Sequence, residues 1–172
     1  MCIRDRFKDL EDVLTLFVNQ TYLKGLIILG EKGIGKSFNV KRFLEKNKLK
    51  YIWINGHISP YQLFKKLDFD GIVVLDDVID LLLNKNVISI LLGALDTNNS
   101  IVSWHTTIGR TEYTEEFIFK GKLIIILNEL NLENDYLRAL KDRCLIYKKS
   151  FTQKEMLELL YACLLYTSDA AD

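Results

Sequence analysis

The segment GEKGIGKS at residues 30–37 has the composition and spacing of a phosphate-binding loop. It follows an apolar stretch typical of a buried strand and precedes a stretch typical of a helix. Its glycines would let successive backbone N–H groups turn toward phosphate oxygens, where a helix N-terminus adds partial positive charge. Lys36 would bring a full positive charge to the outer phosphates, and the Ser37 hydroxyl would bind magnesium. The alternative is a glycine-rich turn that carries an exposed lysine.

The phosphate-binding interpretation predicts contacts from the whole loop and from the residue after it. The expected nucleotide-binding residues are Gly30, Glu31, Lys32, Gly33, Ile34, Gly35, Lys36, Ser37 and Phe38.

Two carboxylates, Asp76 and Asp77, follow a second apolar stretch at residues 72–75. In a parallel sheet the carboxyl ends of neighbouring strands share an edge, so both side chains should lie beside the phosphate loop. Asp76 is expected to hold magnesium through its water shell, and Asp77 to orient and deprotonate an attacking water. The alternative is a strand that ends in two solvated aspartates before a turn.

Short apolar stretches alternate with amphipathic ones, which predicts an α/β fold: a three-layer αβα sandwich around a mostly parallel five-stranded sheet. The expected strands are 26–29, 51–54, 72–75, 123–127 and 144–147. The expected helices are 7–19, 37–46, 60–67, 87–95, 133–141 and 152–162, because their apolar residues recur at spacings of three and four. Residues 101–104 and 116–119 interrupt the alternation. They predict an inserted antiparallel hairpin that begins at Ile101 and ends at Phe119, with Ile108, Gly109, Arg110 and Thr111 near its tip.

The order of these features resembles the AAA+ ATPases. The likeness is carried by GEKGIGKS (the family's Walker A motif), by the strand ending in Asp76 and Asp77 (Walker B), by the strand 123–127 before Asn128, and by ALKDRC at 139–144. Together they span residues 30–147 in the family's order. The organisation also resembles that of replication proteins of phages and plasmids. The resemblance implies that Mg-ATP is bound and hydrolysed.

Two further site residues follow from the resemblance alone. Asn128 matches the family's sensor 1, which positions water against the terminal phosphate; an asparagine that simply ends a strand is the alternative. Arg143 lies in DRC, similar to the SRC motif of clamp loaders, whose arginine reaches the ATP of a neighbouring subunit. That role would require a homo-oligomeric ring or row, and a solvated or salt-bridged arginine is the alternative. Arg138 and Arg110 are weaker candidates.

Two departures from the family pattern are visible. Asp77 stands where the family usually has glutamate, which bears on the rate of hydrolysis. The small helical lid with its second arginine sensor would follow the trailing helix, and the sequence ends before it. We therefore expect an ATPase core domain at residues 7–163 without the lid, and weak ATP binding. Residues 1–6 and 164–172 resemble translated sequencing-adapter read-through and are expected to be foreign to the native protein.

The hairpin resembles the one that precedes sensor 1 in viral superfamily III helicases and related DNA motors, where the tip touches DNA. His105 and Arg110 would suit a phosphate, and Trp104 and Tyr113 a base face. The alternative is a hairpin that only covers the sheet or a subunit contact.

The bulk composition limits the possible partners and compartment. The chain has 172 residues, with 23 basic and 23 acidic side chains and a formal net charge of zero, so any DNA contact must be local. Cys2, Cys144 and Cys163 lack the spacing of a zinc site or a disulfide framework, which favours a reducing cytoplasm. No apolar run approaches the roughly 18 residues of a membrane span, so no membrane partner is expected.

The resulting hypothesis is an ATPase that couples Mg-ATP hydrolysis to DNA remodelling, helicase or loader activity in replication. A small-molecule kinase is one alternative, because the same loop opens many kinases. A scaffold or adaptor that binds ATP without hydrolysing it is the other.

Overall fold

The computed structural model describes residues 8–108, 111–128 and 135–150. Its helices are α1 (Lys8–Asn19), α2 (Lys36–Lys46), α3 (Pro60–Leu67), α4 (Ile79–Leu82), α5 (Lys85–Ala94) and α6 (Asp135–Asp142). Its strands are β1 (Gly25–Gly30), β2 (Tyr51–Asn55), β3 (Ile72–Asp76), β4 (Ile101–Ile108), β5 (Thr111–Ile118), β6 (Lys122–Leu127) and β7 (Leu145–Lys149). The helix expected at 152–162 lies outside the described residues.

Five strands form a parallel sheet in the order β2-β3-β6-β1-β7. Strands β3 and β6 are almost wholly apolar because both of their faces are covered, as is usual for parallel strands. The predicted α/β fold with a five-stranded parallel sheet between helices is thereby confirmed. Strand β6 lies between β1 and β3, so the residues after these three strands share one edge of the sheet.

Alternate residues of each central strand face opposite layers of helices. In β6, Ile124 and Ile126 pack on the side of α1 and α2 with Leu14 and Val40. Its other apolar residues join α3, α5, α6 and the base of the hairpin in the opposite core. The sheet is therefore the middle of three layers. In the part of the chain that the structure describes, no helix is both long enough and apolar enough to cross a bilayer.

The inserted hairpin lies where it was predicted, but its two strands are longer than predicted. Strands β4 and β5 each contain eight residues and pair antiparallel as a separate sheet, from Ile101 opposite Ile118 to Ile108 opposite Thr111. The predicted strand segments, 101–104 and 116–119, covered only the base of the hairpin, because residues 105–107 and 112–114 are polar or exposed on both faces and show no apolar alternation.

Cys144 is the cysteine within the described ranges. Burial raises the pKa of its thiol to about 12, so the thiol stays protonated at neutral pH and is unsuited to act as a nucleophile or metal ligand.

Lys122 of β6 forms hydrogen bonds to the chain just after α1. Its Nζ donates to the carbonyls of Gln20 and Leu23, each at 2.6 Å, and lies 4.9 Å from the centre of the Phe17 ring. Burial lowers the pKa of this amine. The ammonium thus supplies partners for two carbonyls at the point where the chain leaves α1 and turns toward β1.

We expect Lys122→Met to lower the free energy of unfolding by about 1–3 kcal/mol, because the two carbonyls lose their donor while the aliphatic stem is retained. Urea denaturation checks this, with Lys120→Met as the matched control because Lys120 is exposed. Equal effects of the two substitutions would contradict the anchoring role of Lys122.

Candidate nucleotide-binding site

The segment after β1 turns back on itself and opens directly into α2. Gly33 and Gly35 have φ angles of 82° and 85°, in the left-handed region that other residues adopt only at a cost. Gly35 is the N-cap of α2, so Lys36 begins the helix. The N–H groups of the first helical turn have no acceptor within an α-helix and so are available to an anion at this end.

Lys36 points into the space above the sheet edge and is mostly buried, with 7% of its surface exposed. Its Nζ donates to the carbonyl oxygens of Gly30 at 2.6 Å and Glu31 at 2.8 Å, and to Oδ1 of Asn128 at 3.1 Å. Burial lowers the pKa of Lys36, while the carboxylates of Asp76 and Asp77 act in the opposite direction. The amine therefore lies in a partly desolvated position where an anion would stabilise its charge.

Ser37 and Asp76 meet across the same edge. The Ser37 hydroxyl donates to Oδ1 of Asp76 at 2.8 Å, and Asp76 is buried with 8% exposure. A hydroxyl and a carboxylate are the hard oxygen ligands that Mg²⁺ uses in proteins, together with waters and phosphate oxygens. This pair fits a magnesium ion with few protein ligands.

Asp77 adopts a left-handed conformation with φ of 53°, and its side chain is exposed. Its N–H donates to the carbonyl of Ile126 at 3.2 Å, which links the end of β3 to the end of β6. Aspartate and asparagine tolerate this conformation better than other non-glycine residues. The backbone therefore gives a physical reason for aspartate at this position, where the resemblance suggested glutamate.

Asn128 reaches the site because of the strand order. It directly follows β6, which pairs with β1 on one side and β3 on the other, and its amide oxygen accepts from Lys36. The predicted residues Lys36, Ser37, Asp76, Asp77 and Asn128 thus come together at the carboxyl edge of the sheet.

These side chains line a cavity of about 340 Å³. Most of the predicted loop residues border it: Lys32, Gly33, Gly35, Lys36, Ser37 and Phe38. The loop residues Gly30, Glu31 and Ile34 do not line the cavity. Ile34 is buried on the α1 and α2 side, and Gly30 pairs with Lys149 of β7. Glu31 contributes its carbonyl to Lys36.

Asn55 also lines the cavity and was not predicted from the sequence. It ends β2 and lies opposite Asp76 in the strand register. In the sequence, Asn55 is simply a polar residue after the apolar segment 51–54. That position indicates a site residue only when β2 is known to pair with β3.

Arg143 is not part of the cavity in its own chain. It is exposed in the turn between α6 and β7, before Leu145 pairs with Leu26 near the amino end of β1. The whole length of β7 lies between Arg143 and the level of Gly30, so Arg143 is at the opposite edge of the sheet from the loop. Arg138 pairs with Asp135 at 3.0 Å, and Arg110 lies outside the described residues.

The remaining hairpin residues differ in their exposure. Trp104 is half-buried, with its ring centre 5.4 Å from that of Tyr61 and 6.1 Å from that of Phe64. Tyr113 is 50% exposed, and Nδ1 of His105 lies 2.9 Å from Oγ1 of Thr114. The described hairpin also carries Glu112, Glu115 and Glu116 but no lysine or arginine.

No family model matches the chain. Over 118 residues the chain is 33% identical to an uncharacterized 36.7 kDa protein encoded in the nrdC–mobD intergenic region of Enterobacteria phage T4. The alignment covers 62% of this chain and 36% of the phage protein, so the chain spans about a third of the length of that relative.

The backbone at Asp77 leads to a prediction about stability. We expect Asp77→Asn to leave the free energy of unfolding nearly unchanged, because asparagine also tolerates a positive φ. Asp77→Val should cost about 1–2 kcal/mol, because a β-branched residue is strained in this region. Denaturant titration of both variants measures the difference; a valine variant as stable as the asparagine variant would show that Asp77 is not held in this conformation.

Proposed function

We propose that this chain binds Mg-ATP and hydrolyses it as an ATPase of the AAA+ type. The observation that carries the proposal is the convergence of the buried Lys36 ammonium and the Ser37–Asp76 pair on one cavity at the N-terminus of α2. The cavity offers backbone N–H groups and a lysine for phosphates, and two hard oxygens for the metal. The order of the loop, the two aspartates, Asn128 and Arg143 along the chain supports the same class.

In this proposal each side chain has a separate task. Lys36 would exchange its carbonyl partners for oxygens of the outer phosphates. Asn128, already within hydrogen-bond distance of Lys36, would orient the attacking water, and Asp77 would accept its proton. Ser37 and Asp76 would hold the magnesium ion, whose positive charge would stabilise the charge that develops on the phosphates.

Arg143 would act on a neighbouring subunit. Its position at the amino edge is too far from the loop of its own chain, yet it is exposed and can face a second copy. A guanidinium aimed at the terminal phosphate neutralises charge in the transition state. The proposal therefore includes a homo-oligomeric ring or row in which each ATP site is completed by the next subunit.

We further propose that the ATPase acts on DNA through the hairpin. Support comes from the exposed segments 105–107 and 112–114, which include His105 and Tyr113. The three glutamates of the described hairpin would repel phosphates, so the contact depends on Arg110 and on base stacking rather than on a broad basic surface. Loss of DNA binding in an Arg110→Ala variant, measured by fluorescence anisotropy with a single-stranded oligonucleotide, would support this role; unchanged binding would exclude it.

One feature favours a second candidate function, phosphoryl transfer to a small acceptor. Asp77 also borders a second cavity of about 320 Å³, which is lined by His57, Ser59 and Asn84 among others. A water nucleophile needs only about 30 Å³, so this space could admit a larger hydroxyl compound. ADP and inorganic phosphate released in equal amounts would favour hydrolysis, whereas ADP in excess over phosphate would favour transfer.

Binding of ATP without turnover, with assembly of subunits driven equally by a non-hydrolysable analogue, would identify the scaffold alternative.

Lys36→Met should weaken binding of a fluorescent ATP analogue by about tenfold or more, because charge-assisted hydrogen bonds to the phosphates are lost. Lys41→Met is the matched control, since Lys41 is an exposed lysine of the same helix. Equilibrium fluorescence titration in the presence of Mg²⁺ measures both. Equal affinities for the two variants would refute the proposed phosphate site.

The proposed action of Arg143 between subunits predicts complementation. Asp77→Asn and Arg143→Ala proteins should each release phosphate slowly when assayed alone. Mixed in equal amounts, they should recover about one quarter of wild-type turnover, because in a random assembly that fraction of sites pairs an intact Asp77 with an intact neighbouring Arg143. Turnover of the mixture equal to the mean of the separate proteins would contradict a contribution across subunits.

A further inference from the structure

Three segments of the chain meet at the amino edge of the sheet, around Gly25 at the start of β1. Gly25 has no side chain, and a first side-chain carbon at this position would lie 2.5 Å from the sulfur of Cys144 and 3.0 Å from a methyl carbon of Leu95. These three residues are therefore packed against one another, and the charged residue beside each of them is brought to the same place. The charged neighbours are Lys24, Asp96 and Arg143.

The carboxylate of Asp96 is held by the turn that follows α5. Its Oδ1 accepts from the N–H groups of Asn98 at 2.8 Å and Asn99 at 3.1 Å. The buried hydroxyl of Ser100 donates to the carbonyl of Asp96 and accepts from Nζ of Lys24, which fastens the turn to the chain before β1. Among the described residues, no donor is bonded to the other carboxylate oxygen of Asp96, so this oxygen is available to a further cation.

The guanidinium of Arg143 is attracted to Asp96 without being bonded to it. Backbone hydrogen bonds from Asn99 and Asn98 are the main reason that the pKa of Asp96 is lowered, and the positive charges of Arg143 and Lys24 lower it further. In the described ranges Arg143 has no ion pair, and its side chain is exposed. A guanidinium has five N–H donors in a planar fork, so it can face a carboxylate and still donate to a phosphate.

The two cations beside Asp96 differ in what they can reach. Lys24 is half-buried and its ammonium is bonded to Ser100, whereas Arg143 is exposed. Because the two cations repel each other, the carboxylate between them is needed to keep Arg143 at this place. An arginine that is already held in one region loses less rotamer freedom when it meets a ligand.

We propose that Asp96 is the positioning residue of Arg143, whose guanidinium it keeps at the amino edge in reach of the ATP of a neighbouring subunit. This inference rests on the proposed function, because it takes Arg143 to act between subunits. Asp96 acts through Arg143 and not on the nucleotide itself. Loss of its charge should therefore slow turnover without weakening the binding of ATP, which depends on Lys36 and the loop around it.

Asp96→Asn tests this with little disturbance of the turn, because the asparagine Oδ1 can accept the same two backbone N–H groups while the charge is lost. We expect kcat for phosphate release to fall by about threefold or more, with KM for ATP and the free energy of unfolding unchanged. Asp12→Asn is the matched control, since Asp12 is an exposed aspartate of α1. Equal kcat values for the two variants would overturn the positioning role.

A mixing experiment separates positioning from a structural role. An Asp96→Asn subunit has an intact Asp77 and receives a correctly held Arg143 from any Asp77→Asn neighbour. An equal mixture of the two proteins should therefore exceed the mean of their separate turnovers, by about twofold if Asp96→Asn alone retains about a third of wild-type turnover. A mixture equal to that mean, under conditions where the Arg143→Ala mixture recovers activity, would show that Asp96 acts within its own chain and would overturn the proposal.

A double variant tests whether Asp96 acts only through Arg143. Asp96→Asn/Arg143→Ala should hydrolyse ATP at the same rate as Arg143→Ala alone, because the residue to be positioned is gone. A further loss in the double variant would overturn the positioning role. Wild-type turnover in Arg143→Ala would instead refute the proposed action of Arg143 between subunits, and the role of Asp96 with it.

Discussion

The pairing of β6 with both β1 and β3 is the constraint on which the candidate site depends. Because β6 separates the other two strands, Asn128 at its end lies beside Lys36 while Asp77 donates its N–H to Ile126. The same register brings Asp76 within 2.8 Å of Ser37 at the start of α2. The site is therefore held by parallel strands buried on both faces, and a shift of β6 would misplace Lys36, Asn128 and Asp77 together.

Charge is the second organising feature of the cavity. Lys36 is a mostly buried cation whose near partners are two carbonyls and an amide oxygen, with Asp76 and Asp77 close enough to favour its charged form. Carbonyl partners satisfy the hydrogen bonds of the ammonium but do not neutralise it. An arrangement of this kind suits an anionic ligand that arrives with its own divalent cation, since the lysine and the two aspartates would each gain an opposite charge.

Local features of the sequence were sufficient to predict the loop, both acidic residues and the five strands of the sheet. Each of these features is set by a few neighbouring residues, either through the geometry of a turn or through the apolar pattern of a buried strand. The contribution of Asn55 to the cavity was not predicted, because it depends on which strands become neighbours. The strand pairing in the outer half of the hairpin was not predicted either, because it joins polar segments. The left-handed backbone of Asp77, with φ of 53°, also has no sequence signature of its own. For Trp104, the sequence left base stacking and packing open, and the structure places its ring against α3.

The most direct measurement of the central claim is a crystal structure of the protein with Mg²⁺ and a non-hydrolysable ATP analogue. The account predicts the terminal phosphate within hydrogen-bond distance of Lys36 Nζ and Asn128, with the metal ion between Ser37 and Asp76. An analogue bound elsewhere, or no analogue in the cavity at a concentration that saturates binding in solution, would contradict it.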